Sequence, residues 1–598
     1  MKSRLLLIAY TLSGLAALVY ELGWMRELSA MLGATAYASG TMLGAYMFGL
    51  GLGALAGTWR GKHSHRPLVD ASFAELGVAL FSIAAFAGIR FLPGLYFDWM
   101  RSAGGGSAGG FLTLQFFVCF FVMVLPTFAM GMTYPLIMRG VASQEHLGAA
   151  AGRLYAVNTG GAIVGSLLAT FAFLPTIGVK GSLIVAAIFS IAASVMLRAI
   201  AGTQVDLWAL FKRPLMVGLA VVTVVAICVI PGRSGSPLGL GQAFYYRDAA
   251  SFAQLSDART TLYDKEGIYS RVQVTENPDG TKTLSNGALD EGTNNQYDRV
   301  TTTMLAAVPA MSTTASQSAF ILGLGTGYTS QTYAELKFPR ITTVEINPDV
   351  PAAAEYFTGS KASIGDTSGW QQDTLAASGE AAGDAGSGSG SAGALPILPK
   401  VGAMGSWQVV IDDARAHLLT NSQRYDCITS EPSWPWSSDV AALFTKEFMT
   451  AAKSRLNPDG VYCQWLPNYL LNTSDVAMMY KTMKQVYPRV DVWSINFPDS
   501  PAGELLLVGH TRAQAGLSQP QIKKRLDTLI NSTDFNDPYI TPACITPYKN
   551  IRALQTLAAK SSTPINTDDH STLEYRVFWN YLKRAFAPAS TGKSVLEQ

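Results

Sequence analysis

Four acidic residues and one glycine-rich turn carry the chemistry this chain could perform: Glu345, Asp412, Asp413 and Glu431, with Gly323-Leu-Gly-Thr-Gly327. An apolar, strand-like run, Ala319–Leu322, leads straight into the glycines. A helix-like segment and a second strand, Ile341–Glu345, follow. Glycines at such a turn permit positive φ and let a ligand come close to the backbone. Glu345 stands at the tip of the second strand, about twenty residues after the first glycine, where an acid can accept both hydroxyls of a ribose. The dinucleotide fingerprint G-x-G-x-x-G requires a glycine where Tyr328 stands. The spacing here favours a nucleoside without a pyrophosphate, such as an S-adenosyl compound.

The other acids end later strands. Trp407–Ile411 runs into Asp412-Asp413, and an acid there can accept a hydrogen bond from an adenine amino group. Tyr425–Ser430 runs into Glu431-Pro-Ser-Trp-Pro-Trp436, which gives Glu431 the position of a catalytic carboxylate at the ligand-binding ends of the strands. Pro432 and Pro435 stiffen that loop, and Trp434 and Trp436 offer apolar area to close over a substrate. The alternative is that the loop packs on a helix over Ala441–Leu456.

These residues require a parallel α/β sheet, and the alternation of strands and helices from residue 301 to 515 reads as a Rossmann-like domain of the class I methyltransferase type. Short strands with an Asp279-Gly280 turn form a small β subdomain at 261–300, ahead of that domain. Val490–Asn496 and Leu505–Gly509 close the sheet as an antiparallel pair. A Gly/Ser/Ala-rich insert at 359–405 is too polar to pack, and residues 516–598 read as a helical extension.

Before residue 232 the chain changes character. With 49% hydrophobic and 14% charged residues over 598 positions, it is too apolar for a wholly soluble protein. About seven spans are long enough to cross a bilayer: Leu5–Leu22, Ala36–Thr58, Val69–Ile89, Phe111–Met138, Tyr155–Ile177, Val179–Ile200 and Pro214–Ile230. This multi-pass domain covers 1–231, and a linker follows at 232–260. Gly49, Gly53 and Gly57 repeat every four residues and predict close helix packing. Asp70 and Glu75 open the third span and read as interfacial. Most Lys and Arg residues fall on one side, so the N-terminus is expected in the cytoplasm and, after seven spans, the soluble half outside it. The net charge of +2 and the lack of a basic stripe argue against nucleic acid, and the five scattered cysteines have no metal-type spacing.

The runs GLGTG, VEINPDV, DDARAHLL, YDCITSEP, LFTKEF and LNPDGVYCQW together resemble the spermidine synthase (polyamine aminopropyltransferase) family. SGLAALVYELGWMREL, LYAVNTGGAIVGSL and INTDDH resemble its bacterial, membrane-fused members, which implies a multi-pass protein of the bacterial inner membrane. The resemblance implies transfer of an aminopropyl group from decarboxylated S-adenosylmethionine to a small-molecule amine, without a metal. Gly323, Gly325, Thr326, Gly327 and Glu345 would hold the donor, Asp413 its adenine, and Glu431 would take the proton of the attacking amine. Departures are equally clear. Thr326 stands where synthases keep an acid for the donor's propyl amine, Trp434 where they keep a second loop Asp, and Thr301–Thr303 where they keep Tyr-His-Glu or Tyr-Gln-Glu. Arg271 replaces a Gln of the first substrate-lining strand. A dicationic acceptor needs carboxylates or aromatic faces at both ends, so putrescine is an uncertain fit. Two alternatives stay open: an S-adenosylmethionine-dependent methyltransferase acting on a membrane-proximal substrate, and a transporter or sensor with a non-catalytic nucleoside- or polyamine-binding domain. Self-association as a homo-oligomer is compatible with all three.

Overall fold

The structure, a computed structural model, describes residues 2–33, 35–102, 108–141, 147–202, 258–287, 289–358, 406–497, 500–513, 517–532 and 539–585, with the isolated residues 218, 225 and 254. The expected span Pro214–Ile230, the linker 232–260 and the insert 359–405 lie almost wholly outside these residues. The chain forms two compact units, one built mainly from Met1–Ser256 and the other mainly from Arg271–Ala585.

The first unit is helical: α1 (Lys2–Leu32), α2 (Ala36–His63), α3 (Pro67–Ser102), α4 (Ala108–Val141), α5 (Leu147–Leu168) and α6 (Leu174–Ile200). Among the described residues, five helical runs are long and apolar enough to cross a membrane. The last of these, Gly148–Ile200, has 53 residues. Straight, it would reach roughly 80 Å at ~1.5 Å per residue, well beyond an apolar core of ~30 Å. It is broken at Gly178, whose φ of 68° and ψ of −179° leave the helical region. The two expected spans Tyr155–Ile177 and Val179–Ile200 lie on either side of that break.

Small residues bring α2 against α4. A Cβ added at Gly53 would lie 2.0 Å from the Phe128 carbonyl oxygen, and one at Gly57 would lie 2.7 Å from that of Met132. The glycine repeat thus packs backbone on backbone, as its spacing predicts. Asp70 pairs with Arg60 in the first turn of α3. Glu75 departs from the interfacial expectation. It lies more than a turn further in and is 1% exposed, because its face of α3 turns inward and meets Ser13 of α1.

The second unit begins with a four-stranded sheet in chain order, β1 (Thr260–Glu266), β2 (Arg271–Glu276), β3 (Lys282–Asn286) and β4 (Leu289–Thr293). Gly280, at φ 82°, makes the turn between β2 and β3. Helix α7 (Gln296–Ser312) starts at Asn295, whose side chain accepts the Asp298 N–H. The main sheet contains β5 (Ser318–Leu322), β6 (Arg340–Glu345), β7 (Ser406–Ile411), β8 (Tyr425–Ser430), β9 (Leu456–Leu466), β10 (Arg489–Phe497), β11 (Ser500–His510) and β12 (Ile545–Pro547). Their order is β12-β10-β11-β9-β8-β5-β6-β7. Strands β9, β8, β5, β6 and β7 run parallel, and β10 and β11 close the sheet as the expected antiparallel pair. Every residue of β5 and β8 is buried, which explains their unbroken apolar runs. Residues after 516 add an edge strand, β12, to the expected helices α13 (Gln519–Ile530), α14 (Ile551–Ala559) and α15 (Thr572–Ala585). The helices between are α8 (Tyr328–Glu335), α9 (Val350–Thr358), α10 (Ala414–Thr420), α11 (Lys446–Ser454) and α12 (Thr473–Val486).

Register sets the functional edge. Leu322 pairs with Val344 on one side and Ser430 on the other, and Glu345 pairs with Ile411. Gly323, Glu345, Asp412 and Glu431 therefore follow in a row along the carboxyl ends of four adjacent strands. At the opposite end, buried Asp426 accepts the Gln317 and Ser318 N–H groups at 3.0 Å and the Asn457 amide at 2.6 Å, fixing the starts of β5, β8 and β9.

Gly53→Ala is expected to lower the thermal unfolding midpoint of the full chain in detergent by several degrees, through a destabilisation of about 1–3 kcal/mol. Gly51→Ala, whose added Cβ meets nothing within 4 Å, is the control and should leave the midpoint unchanged.

Candidate active site

The glycine turn is an open cradle. Gly323, Gly325 and Gly327 have φ values of 84°, 52° and 86°. A Cβ at Gly323 or Gly325 would meet nothing within 4 Å, so their backbones face free space. Gly327 is different: its Cβ would lie 2.9 Å from Thr358, so it serves the packing of α8 against α9. Thr326 is 5% exposed and packs towards Gly292 of β4.

Glu345 braces this cradle. Its Oε2 accepts the Leu324 N–H at 2.9 Å and its Oε1 the Asn347 N–H at 2.8 Å. Burial pushes its carboxyl above the usual range, and the two N–H groups oppose that push. Each oxygen keeps a lone pair for a ligand. Asp413 caps α10 by accepting the Ala416 N–H at 2.6 Å, and it is exposed. Asp412 turns to His417, 3.2 Å away, and to the Asp413 N–H.

Glu431 is the centre of an acidic recess. The Thr329 hydroxyl lies 3.1 Å from its Oε2 and 3.2 Å from the Thr302 carbonyl, and donates to one at a time. Burial, with the charges of Glu504, Asp298 and Glu291, pushes the Glu431 carboxyl up to about 8. Those three acids were not singled out from the sequence. Glu504, on β11, is 8% exposed, and its Oε2 accepts both the Thr301 hydroxyl at 2.6 Å and the Trp465 indole N–H at 2.9 Å. Burial, then the Asp298 charge, takes it up to about 7. Glu291, on β4 beside Ser433, is likewise raised to about 7, mainly by burial. Asp298 accepts the Thr293 N–H at 2.7 Å and the Thr293 hydroxyl, and burial also raises it. The Tyr469 hydroxyl senses the charges of Glu504, Asp298 and Glu431.

The remaining expected residues fall elsewhere. Arg271 is tied to Asp264 of β1 through both nitrogen–oxygen pairs, at 2.7 and 2.5 Å, so the cation read into the substrate region is already neutralised. Trp434 and Trp436 are 7% and 2% exposed. They pack on each other and on Tyr581 of α15, with Trp436 4.5 Å from its ring. The Trp434 indole N–H donates to the Asp290 carbonyl. Pro435 lies between them in the same buried loop. Thr301 and Thr302 take part in the recess, Thr301 by holding Glu504. A buried acid within the apolar run Gly503–Gly509 was the signal in the sequence for Glu504.

Comparison with known proteins finds similarity over the second unit. Residues 399–513 match the spermine/spermidine synthase domain. A polyamine aminopropyltransferase of Corynebacterium efficiens is 24% identical over 473 residues, which cover 76% of each chain. One from Shouchella clausii is 26% identical over 98 residues, 34% of its length. The crystal structure of the spermidine synthase from Thermotoga maritima aligns with 50% of this chain and 87% of its own, at 15% identity and a TM-score of 0.35. The second unit thus resembles the spermine/spermidine synthase domain, and the chain is similar to transferases of that family.

Raised carboxyls favour their protonated forms in the fold. Their contribution to stability is full below about pH 4.5, the ordinary Glu value, and is lost as pH rises through about 7–8. Glu504→Gln removes one such group. Measured by thermal unfolding without ligand, its stability relative to the parent chain should improve by roughly 1–3 kcal/mol between about pH 5 and pH 8. A difference that stays flat or reverses contradicts the assigned environment.

Proposed function

We propose that this chain is a membrane-anchored transferase that moves an aminopropyl group from an S-adenosyl-type donor to a polycationic amine. The carrying observation is the recess in which the charges of Glu504, Asp298 and Glu291 act on Glu431 and, with its burial, raise its proton affinity. An acceptor with two or more ammonium groups supplies the missing charge, and charge-assisted hydrogen bonds to carboxylates are among the stronger contacts available. The acids lost at Thr326, Trp434 and Thr301–Thr303 are thus answered from β4, the start of α7 and β11.

In this reading the donor's adenosine lies over Gly323 and Gly325. Glu345 accepts from its ribose, and Asp412 and Asp413 border its adenine. The amine nitrogen attacks the propyl carbon bound to the sulfonium. The new N–C bond forms as the C–S bond breaks, and the thioether leaves with the electron pair. Glu431 takes the proton from the nitrogen. With its carboxyl raised to about 8, Glu431 is matched to an amine proton near neutral pH. Alignment of nucleophile and carbon supplies much of the remaining acceleration. The helical half holds this domain at the bilayer of a bacterial inner membrane, with the soluble half outside the cytoplasm by the charge asymmetry of its loops.

Transfer of methyl is the second reading, favoured by Thr326, which offers no charge to an amine on the donor arm. Purified full-length chain incubated with spermidine or putrescine and either S-adenosylmethionine or its decarboxylated form decides between them. Methylthioadenosine from the decarboxylated donor supports aminopropyl transfer, S-adenosylhomocysteine from the other supports methyl transfer, and neither product defeats both.

Two substitutions test the roles. Glu431→Gln should lower kcat by about 10²–10⁴-fold, the usual contribution of a positioned base, with donor binding intact by calorimetry. In the parent enzyme kcat/KM should rise with pH up to about 8, as Glu431 loses its proton, and this limb should vanish in E431Q. Glu345→Gln removes the charged acceptor from the Leu324 and Asn347 N–H groups and sets an NH2 group against one of them. The Kd for methylthioadenosine should rise by about 10–100-fold, since hydrogen bonds to charged groups are worth ~1.5–3 kcal/mol.

A further inference from the structure

The helical unit contains a buried carboxyl that the transfer chemistry does not use. Glu75 of α3 is 1% exposed, and its Oε1 accepts the Ser13 hydroxyl of α1 at 2.6 Å. The Thr133 hydroxyl of α4 also reaches it. The ion pairs among α1–α4, Arg60–Asp70 and Arg90–Glu27, are formed by other residues. An acid within a membrane-crossing helix is expensive as an anion and calls for a functional account.

A line of hydroxyls continues from it. Tyr20 and Ser82 each lie seven residues beyond Ser13 and Glu75, on the same faces of α1 and α3. The Tyr20 hydroxyl faces Ser82 and, across on α6, Ser190. Tyr20 and Ser190 are both 0% exposed, yet neither the Tyr20 hydroxyl nor the Ser190 Oγ makes a hydrogen bond. Buried polar atoms left unpaired in this way are the places where ordered water completes a network. The titratable groups near Glu75 are tyrosines: Tyr10 and Tyr20 from α1, with Tyr134 of α4 stacked on Tyr10 at 6.2 Å. Asp70, on the same helix, is held by Arg60 at the helix start, and α6 contributes the hydroxyls of Ser190 and Ser194. None of these groups is a cation that would fix Glu75 as an anion.

We propose that Glu75 is a proton-exchange site inside the helical unit. Its O–H bond breaks as the proton passes to a water molecule and re-forms as water returns one, and the ligand of the site is the proton. The helical half is then a proton-responsive element and not only an anchor. This proposal does not depend on the transfer reaction.

The test uses the full chain in nanodiscs of phosphatidylethanolamine and phosphatidylglycerol, treated with dicyclohexylcarbodiimide, which adds to protonated carboxyls in apolar surroundings. Peptide mass spectrometry should find the adduct on Glu75. Its rate should fall about tenfold per pH unit above a midpoint between about pH 5 and pH 10. Ser13→Ala should move that midpoint upward, because the anion loses its hydrogen bond. Glu75→Gln, a neutral isostere, should lack the adduct and should lose intensity from the protonated-carboxyl infrared band that disappears on alkalinisation, the remainder coming from Glu431, Glu504 and Glu291. Absence of labelling at Glu75, a rate independent of pH, or an infrared band in E75Q as strong as the parent chain's each overturns the proposal.

Discussion

Carboxylates gathered in a low-dielectric recess repel one another, and the fold must hold them there against that repulsion. Glu504 stays because the Thr301 hydroxyl and the Trp465 indole donate to one of its oxygens. Asp298 stays because its carboxyl accepts from Thr293 and its own N–H is held by Asn295, the cap of α7. Glu431 stays because β8, buried along its whole length, ends there between β5 and β9. The neutral acids tolerate burial, and an arriving ammonium lets them ionise at little cost. Affinity for a cation and the ability to accept a proton thus come from one electrostatic condition.

The sheet makes that condition possible. Parallel pairing of β9, β8, β5, β6 and β7 brings residues distant in sequence to one edge in fixed order. Asp426 anchors the other end of three of these strands, so that the strand tips cannot slip relative to one another. Glu345 joins the tip of β6 to the turn after β5 through the Leu324 N–H, and so ties the nucleoside cradle to its neighbour.

Much of this was legible in the sequence. Fully buried strands give continuous apolar runs, and glycines followed by a helix mark the turn between β5 and α8, so that edge could be drawn before any coordinates. The two transmembrane-length segments beside Gly178 could be separated because the glycine interrupts an apolar run. Glu291, Asp298 and Glu504 were not recovered. They come from a small sheet, a helix start and an antiparallel strand whose convergence depends on tertiary pairing, and local spacing carries no trace of that. The ion pair of Arg271 was hidden for a related reason: its partner, Asp264, lies on a neighbouring strand. Glu75 read as interfacial because the sequence shows how close it is to the helix start, and not which neighbour its face turns to.

The loop after β8 rests on the last helix of the described chain. Trp434 holds a φ of 60°, unusual for a bulky residue, and its ring and that of Trp436 are clasped by Tyr581. Synthesis runs from the N-terminus, so about 145 residues separate the emergence of these tryptophans from that of the tyrosine that seats them. A nascent chain that lacks α15 therefore has its cradle but not its closed loop, and the site matures only after that helix has been made.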